Sequence, residues 1–166
     1  LFISGNNSTV LFAPSNVGSS FNEVIFDSLV LINSDGAIHA LNSEVFVLNS
    51  ILRNNTALKG AAIYSYSSGY SYVTVNNSSI YNNVAVNYGG GIYCEGYKSS
   101  TGNAYATVVV ENSTLYNNDA GSGGSAIYSR GYRSTFQSGY ATSSVQIRQS
   151  TICNNSGLTA IRSVGN

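Results

Sequence analysis

The sequence predicts an all-β solenoid, a parallel β-helix of about five coils with three strands per coil, on three observations. An Asn-Ser step, an aliphatic residue and an Asn-Asn pair recur along the chain. Apolar residues fall into the same columns each time this motif returns. Alternation of period two appears in Val73-Thr74-Val75 and Val108-Val109-Val110, whereas no helical period of 3.6 is sustained. Self-similarity at this spacing marks a stack in which each repeat buries its apolar face against its neighbours.

The chain reads as one domain over residues 1–166, with an amino-terminal segment over 1–22 and repeats over 23–166. Asp27-Ser28, Asn49-Ser50, Asn77-Ser78, Asn112-Ser113 and Gln149-Ser150 open the repeat units. Ile25, Val47, Val75, Val110 and Ile147, two residues before each opening, are expected to form an inward stack. Val30, Leu52, Ile80, Leu115 and Ile152, three residues after it, form a second. A third apolar column is Ile38, Ile63, Ile92, Ile127 and Ile161, each preceded by Ala or Gly. Asn33, Asn55, Asn83, Asn118 and Asn155 are expected to be a corner ladder, because a corner leaves the β region through the left-handed conformation that Asn tolerates. Strand parity from Ile80 instead points Asn82 inward, so these residues leave open which Asn of each pair lies inside.

The repeat lengthens along the chain, from 22 residues between Asn33 and Asn55 to 37 between Asn118 and Asn155. Most of the growth falls in Tyr64 to Tyr72, Tyr93 to Tyr105 and Tyr128 to Tyr140, which share Gly-Tyr steps. These segments predict Tyr-rich loops stacked on one flank. Tyr64, Tyr93 and Tyr128 share a column, as do Tyr81 and Tyr116, and are candidate surface-binding residues on outward aromatic ladders. Such rings suit sugar faces and protein contacts; packing of ring on ring within the molecule is the alternative.

The Asn-Asn step followed by Gly-Gly-Gly-Ile-Tyr (Gly89 to Tyr93) or Gly-Gly-Ser-Ala-Ile-Tyr (Gly123 to Tyr128) resembles the repeats of polymorphic outer-membrane proteins and other pectin-lyase-like β-helices. The resemblance spans Val24 to Ser163 and implies a right-handed winding. It implies little about activity, since that superfamily holds lyases, hydrolases, adhesins and structural proteins.

Only 8% of residues are charged, against roughly 25% in ordinary soluble proteins. The formal net charge is +0, which excludes a basic footprint for nucleic acid. Polarity comes from Ser, Asn, Thr, Gly and 13 tyrosines, as in secreted and cell-surface material. Asn112, Asn7, Asn77, Asn54 and Asn154 open Asn-X-Ser/Thr sequons and are candidate N-glycosylation sites. No apolar run approaches the ~20 residues that span a bilayer. The chain begins at Leu1 without a visible signal peptide and reads as a processed or excerpted piece.

Catalytic motifs are sparse. Glu23, Asp27, Asp35, Glu44, Glu95, Glu111 and Asp119 are scattered, with no pairing in sequence of the kind glycoside hydrolysis uses. His39 falls outward on a strand and reads as a surface residue. No metal-ligand spacing and no cofactor motif occurs. Cys94 and Cys153 fall in different columns almost two coils apart, about 8 Å along the axis. That exceeds the ~7 Å limit for a bridge, so both are expected as free thiols.

The resulting expectation is a non-catalytic extracellular structural or adhesive protein that self-associates end to end into a glycosylated filament. Leu1, Phe2 and Ile3, apolar and without an evident core of their own, are the candidate assembly segment. The alternative is a carbohydrate-binding or polysaccharide-degrading β-helix protein with glycans bound on the tyrosine flank.

Overall fold

A computed structural model describes residues 1–4, 11–13, 22–99, 101–134 and 138–165. Every described element is a β-strand and every strand pairing is parallel. The strands form separate sheets that the chain visits in rotation, an arrangement that fits a β-helix. Among the described residues, no helix is long and apolar enough to cross a membrane.

The strands fall into four sheets, not the three expected, although the opening coil reaches the second sheet only through the Asp35–Thr56 bridge. The first sheet holds Phe2–Ser4, Val30–Ile32, Ile51–Arg53, Ser79–Tyr81, Thr114–Tyr116 and Thr151–Cys153. A second, shorter sheet holds Thr56–Lys59, Val84–Tyr88, Asp119–Ala120 and Ser156–Gly157. The third holds Leu11–Ala13, Ile38–Leu41, Ile63–Ser67, Ile92–Lys98, Ile127–Arg133 and Ile161–Gly165. The fourth holds Asn22–Asp27, Ser43–Leu48, Tyr70–Asn76, Ala104–Glu111 and Ala141–Arg148. The second sheet escapes a periodicity search because its inward positions are small residues, Ala57, Ala85 and Ala120, which pack with Ala61 as a thin layer of their own.

The main core lies between the other three sheets. Leu31, Leu52, Ile80 and Leu115 stack from the first sheet and Ile38, Ile63, Ile92 and Ile127 from the third; Val45, Val47, Val73, Val75, Val108 and Val110 stack from the fourth. All are fully buried, and fully burying side chains of this size is worth roughly 1.5–3 kcal/mol each. Ile147 continues the Val110 column on the last strand of the fourth sheet but is 37% exposed.

In the opening unit the expected register is off by one residue. Phe26, not Ile25, pairs with Val47, and Leu31, not Val30, pairs with Leu52. Ile25 is accordingly 59% exposed while Phe26 is buried. A one-residue slip exchanges the faces of a strand, so matching Asp27-Ser28 to Asn49-Ser50 by identity reversed inside and outside.

Two corners explain the repeated motif. Ser28, Asn49, Asn77, Asn112 and Gln149 turn the first with φ between 47 and 57°. Asn33, Asn54, Asn82, Asn117 and Asn154 turn the second with φ between 52 and 57°. In both steps the left-handed residue is followed by an inward polar one, except after Ser28, where Leu29 packs against the core. After the first corner, the Ser78 hydroxyl accepts the Ser50 N–H at 3.0 Å and donates to the Asn76 carbonyl at 2.8 Å. Ser50, Ser113 and Ser150 repeat the pattern.

After the second corner the inward residue is the second Asn of each pair. Asn55, Asn83 and Asn118 are fully buried. Asn83 Oδ1 accepts both the N–H and the Nδ2 of Asn55, at 3.1 and 2.9 Å. Its Nδ2 donates to the Leu52 carbonyl at 3.0 Å and to Asn118 Oδ1 at 2.9 Å. Asn118 bonds Asn155 in the same way. Asn33 does not belong to this ladder: it occupies the left-handed column, and Ser34 takes the inward place, its N–H donating to Asn55 Oδ1.

Among the described residues, the long segments between the third and fourth sheets are largely strand. They lengthen the strands on both sides, which converge at the Gly-Tyr steps. A Cβ on Gly96 would lie 2.0 Å from the Tyr105 carbonyl oxygen and one on Gly131 2.1 Å from that of Thr142. Backbone approaches backbone there, and only glycine allows it. Small inward residues fill the flank behind: Ser65 bonds Ser71 at 2.8 Å, and Ser143 bonds both Ser129 and Ser163 at 2.8 Å.

Asn83→Ala leaves the Asn55 N–H and amide and the Leu52 carbonyl without their buried partner, and each unsatisfied group costs about 1–3 kcal/mol. A loss of at least about 3 kcal/mol in denaturant unfolding is the expected outcome. Asn82→Gly retains the left-handed corner and is expected to cost about 1 kcal/mol or less; equal losses at the two positions would contradict the assignment of roles.

Candidate functional site

The third sheet carries one continuous column across its strands, in which His39, Tyr64, Tyr93, Tyr128 and Arg162 are successive register partners. Tyr64 and Tyr93 stack with ring centroids 5.3 Å apart and 2° between planes; Tyr93 and Tyr128 do so at 5.3 Å and 1°. His39 tilts over Tyr64 at 4.6 Å, and the Arg162 guanidinium lies 5.8 Å from the centroid of Tyr128. Each tyrosine in the column therefore has both ring faces occupied.

This column is not the outward ladder expected from strand alternation. Tyr93 and Tyr128 are buried, at 1% and 5% exposure, because residues of the second sheet fold over them. Lys59 Nζ sits 5.0 Å from the Tyr93 centroid and 3.4 Å from its hydroxyl, and Tyr88 packs on Tyr128 at 4.6 Å. The Tyr93 hydroxyl donates to the carboxylate of buried Glu95. Burial, then the Glu95 contact, holds the Tyr93 phenol far above its usual range. Glu95 was legible beforehand, since two residues along a strand return to the same face; Lys59 and Tyr88 were not, since they arrive on an unforeseen strand.

A groove of about 420 Å³ opens beside the column, lined by Asp35, His39, Lys59, Tyr64 and Asn87 among others. His39 is half-buried here, not simply a surface residue, and desolvation lowers its pKa. Among the described residues no three or more His, Cys, Asp or Glu are placed to hold a metal ion. Register sets Glu23 beside Glu44 on the outer face of the fourth sheet, a pairing in space that the sequence does not announce. The Asp27 carboxyl is held below its ordinary range by hydrogen bonds, the Asn49 amide first and the Ser28 hydroxyl next.

Tyr81 and Tyr116 form a separate stack on the first sheet, with centroids 4.6 Å apart and 9° between planes. Both are partly exposed, flanked in the register by Arg53 and Cys153. Asn54, Asn77, Asn112 and Asn154 all sit exposed at left-handed corners; Asn7 lies outside the described residues. The Asn77 amide donates to Asn49 Oδ1 at 2.7 Å, extending an outer polar ladder.

The backbone of the Leu1 to Ile3 segment is paired within its own chain, although the Leu1 side chain is 78% exposed. Phe2–Ser4 pairs with Val30–Ile32, the Leu1 amino group donates to the Ser28 carbonyl at 2.9 Å, and Ile3 packs against the main core. Both cysteines are free thiols, Cys94 buried and Cys153 exposed. Cys94 shares its inward column with Ser65 and Ser129, and its thiol lies 3.2 Å from the Ser71 hydroxyl.

Comparison with protein-family models, with curated proteins and with solved structures finds no match for this chain. The all-strand, parallel-sheet architecture therefore stands on the structure itself.

A thiol reagent is expected to label Cys153 and spare Cys94 in the native protein, and to label both in denaturant. Burial pushes the Cys94 thiol up to about 12 from an ordinary 9.0. The folded state thus favours the neutral thiol, and its stabilisation is complete below pH 9 and lost as pH rises from there towards 12. Denaturation midpoints measured across that window should fall, and Cys94→Ala should flatten part of the fall.

Proposed function

We propose that the chain is a non-catalytic, extracellular or cell-surface β-helix with a structural or adhesive role, glycosylated at its corners and able to associate end to end. One observation carries the reading: polarity is laid out in uncharged ladders that run from strand to strand, not gathered at one place. The Ser and Asn amide ladders are internal. Outside, Asn49 and Asn77 continue the same pattern, and the central tyrosines have their faces occupied by one another. A stack built this way presents a repetitive, weakly charged surface, which suits a spacer or a contact made many times over.

Right-handed winding belongs to this reading, since connections between parallel strands of one sheet are right-handed in about 98% of cases. So does the finer likeness to pectin-lyase-like and polymorphic outer-membrane-protein repeats, which rests on Gly89 to Tyr93 and Gly123 to Tyr128. End-to-end association follows the chemistry of parallel sheets, which a strand from another copy extends as well as one from the same chain. With Leu1 to Ile3 paired inside their own chain, that association requires no exchange of the segment.

A second reading, carbohydrate binding, is favoured by the groove between Asp35, Lys59 and Asn87. It does not draw on the faces of Tyr64, Tyr93 or Tyr128, which are covered, and a sugar would meet hydrogen-bonding groups and the edge of Tyr64 instead.

Electron microscopy and sedimentation of the purified protein at rising concentration test the first reading. Elongated rods that join at their ends are expected, with no new reducing ends or unsaturated products when a panel of polysaccharides is added. Particles of constant mass at every concentration would remove the filament, and product release would remove the non-catalytic role. Expressed through a secretory pathway, the protein should lose mass on glycosidase treatment. Asn112→Gln should remove one glycan without unfolding the chain, because Gln149 already occupies the equivalent corner with φ 47°; an unchanged mass would refute the modification.

A further inference from the structure

The tyrosine stacks differ in one respect that matters for chemistry. Tyr64, Tyr93 and Tyr128 run beneath Lys59 and Tyr88, whereas Tyr81 and Tyr116 stand partly open on the outer face of the first sheet. Their rings are 4.6 Å apart and within 9° of parallel. They are direct register partners on adjacent parallel strands. Two phenols on paired Cα positions with near-parallel stacked rings bring like ring carbons, those ortho to oxygen included, close to one another across the stack. The other open stacks are less well matched: Tyr70 and Tyr105 lie at 4.9 Å and 18°, and Tyr97 and Tyr132 at 5.5 Å and 15°.

We propose that Tyr81 and Tyr116 are an oxidative cross-linking site, joined ortho carbon to ortho carbon when a peroxide, through a haem peroxidase, oxidises both phenols. Each phenol gives up one electron and its hydroxyl proton to form a neutral phenoxyl radical, whose spin lies partly on the ortho carbons. The two radicals pair to form one carbon–carbon bond. Each bonded carbon then releases its hydrogen as a proton while the ring oxygen takes one up, which restores both aromatic rings. The protein loses two hydrogen atoms in all, and one hydrogen peroxide is reduced to two waters. Held in register, the partners meet without a diffusional search, the condition under which an intramolecular reaction outruns its intermolecular equivalent. The bond would staple two adjacent strands of the first sheet on the outside of the stack. This chemistry is independent of whether the protein serves a structural or a carbohydrate-binding role.

Cys153 is the built-in competitor, since its exposed thiol is the next register partner of Tyr116 and could reduce or trap the radical. The test therefore uses the full chain and its Cys153→Ser variant at low concentration, treated with hydrogen peroxide and a haem peroxidase. The expected product in the monomer fraction is one pair of peptides, containing Tyr81 and Tyr116, joined with loss of two hydrogens and showing the blue emission of a linked biphenol. Tyr81→Phe and Tyr116→Phe keep a ring in each stack and should retain the native circular dichroism, yet each should abolish that peptide pair. Treatment of the unfolded chain should scatter the links among many tyrosines. The proposal is overturned if folded Cys153→Ser couples only between molecules, if Tyr81 and Tyr116 are recovered unmodified while other tyrosines are linked, or if the folded and unfolded chains give the same products. Tyr116 joined to Cys153 as the dominant product in the unsubstituted chain, with no pairing of Tyr81 and Tyr116 in the serine variant, overturns it as well.

Discussion

The buried amide of the second asparagine in each Asn-Asn pair is the interaction on which the rest of the stack depends. A corner between two short strands leaves backbone groups that neither strand satisfies, and they are buried where water does not reach. Asn83 meets that need from both sides: its oxygen takes the N–H and amide of Asn55, and its nitrogen reaches the Leu52 carbonyl and Asn118. Because every amide is both donor and acceptor, one residue type repeated in register suffices for any number of repeats. The left-handed Asn before it directs the chain so that the amide falls inside, and the strands on either side follow from that geometry. Serine at the other corner performs the smaller version of the same task with one hydroxyl.

In-register stacking has a consequence for the tyrosines that their abundance hides. A ring whose faces are covered above and below by like rings stabilises the sheet but offers only an edge to a ligand. The Tyr64, Tyr93 and Tyr128 column is thus closer to core than to binding surface, and its environment agrees: Tyr93 is buried, with its hydroxyl held by Glu95. What remains for function is what the ladders leave outside, the exposed corner asparagines, the open Tyr81 and Tyr116 stack, and the polar groove by Asp35 and Lys59.

Much of this was legible in the sequence, and the omissions have physical causes. The isoleucine column from Ile38 to Ile161 reads directly, because a bulky residue after a small one recurs and the register bears it out. The second sheet was not legible, since alanine at Ala57, Ala85 and Ala120 gives no amphipathic signal over so few residues. The opening unit misled because Asp27-Ser28 imitates the Asn-Ser step one residue early, while the left-handed φ belongs to Ser28. Which asparagine of a pair points inward could not be decided from parity, since a left-handed residue between two strands breaks the alternation that parity assumes. The burial of Tyr93 and Tyr128 depended on Lys59 and Tyr88, contributed by the sheet that went unseen.

The lengthening of the repeat follows the same logic. Between successive inward polar residues at the second corner the spacing grows from 21 to 28, 35 and 37 residues, yet the core columns stay in register throughout. The first step adds four residues between the second corner and the third sheet, where Ser34 to Ile38 spans 4 residues and Asn55 to Ile63 spans 8. Most of the additional residues enter where the third and fourth sheets run towards each other, beyond the apolar core. There glycine at Gly96 and Gly131 allows the two backbones to meet, and serine hydroxyls bond across the gap in place of apolar packing. The residues added after Asn55 form Thr56–Lys59 of the second sheet and leave the amide ladder in place. An insertion on the flank extends two strands together and leaves every buried amide with its partner, so the fold takes most of its growth on the side where the ladder does not run.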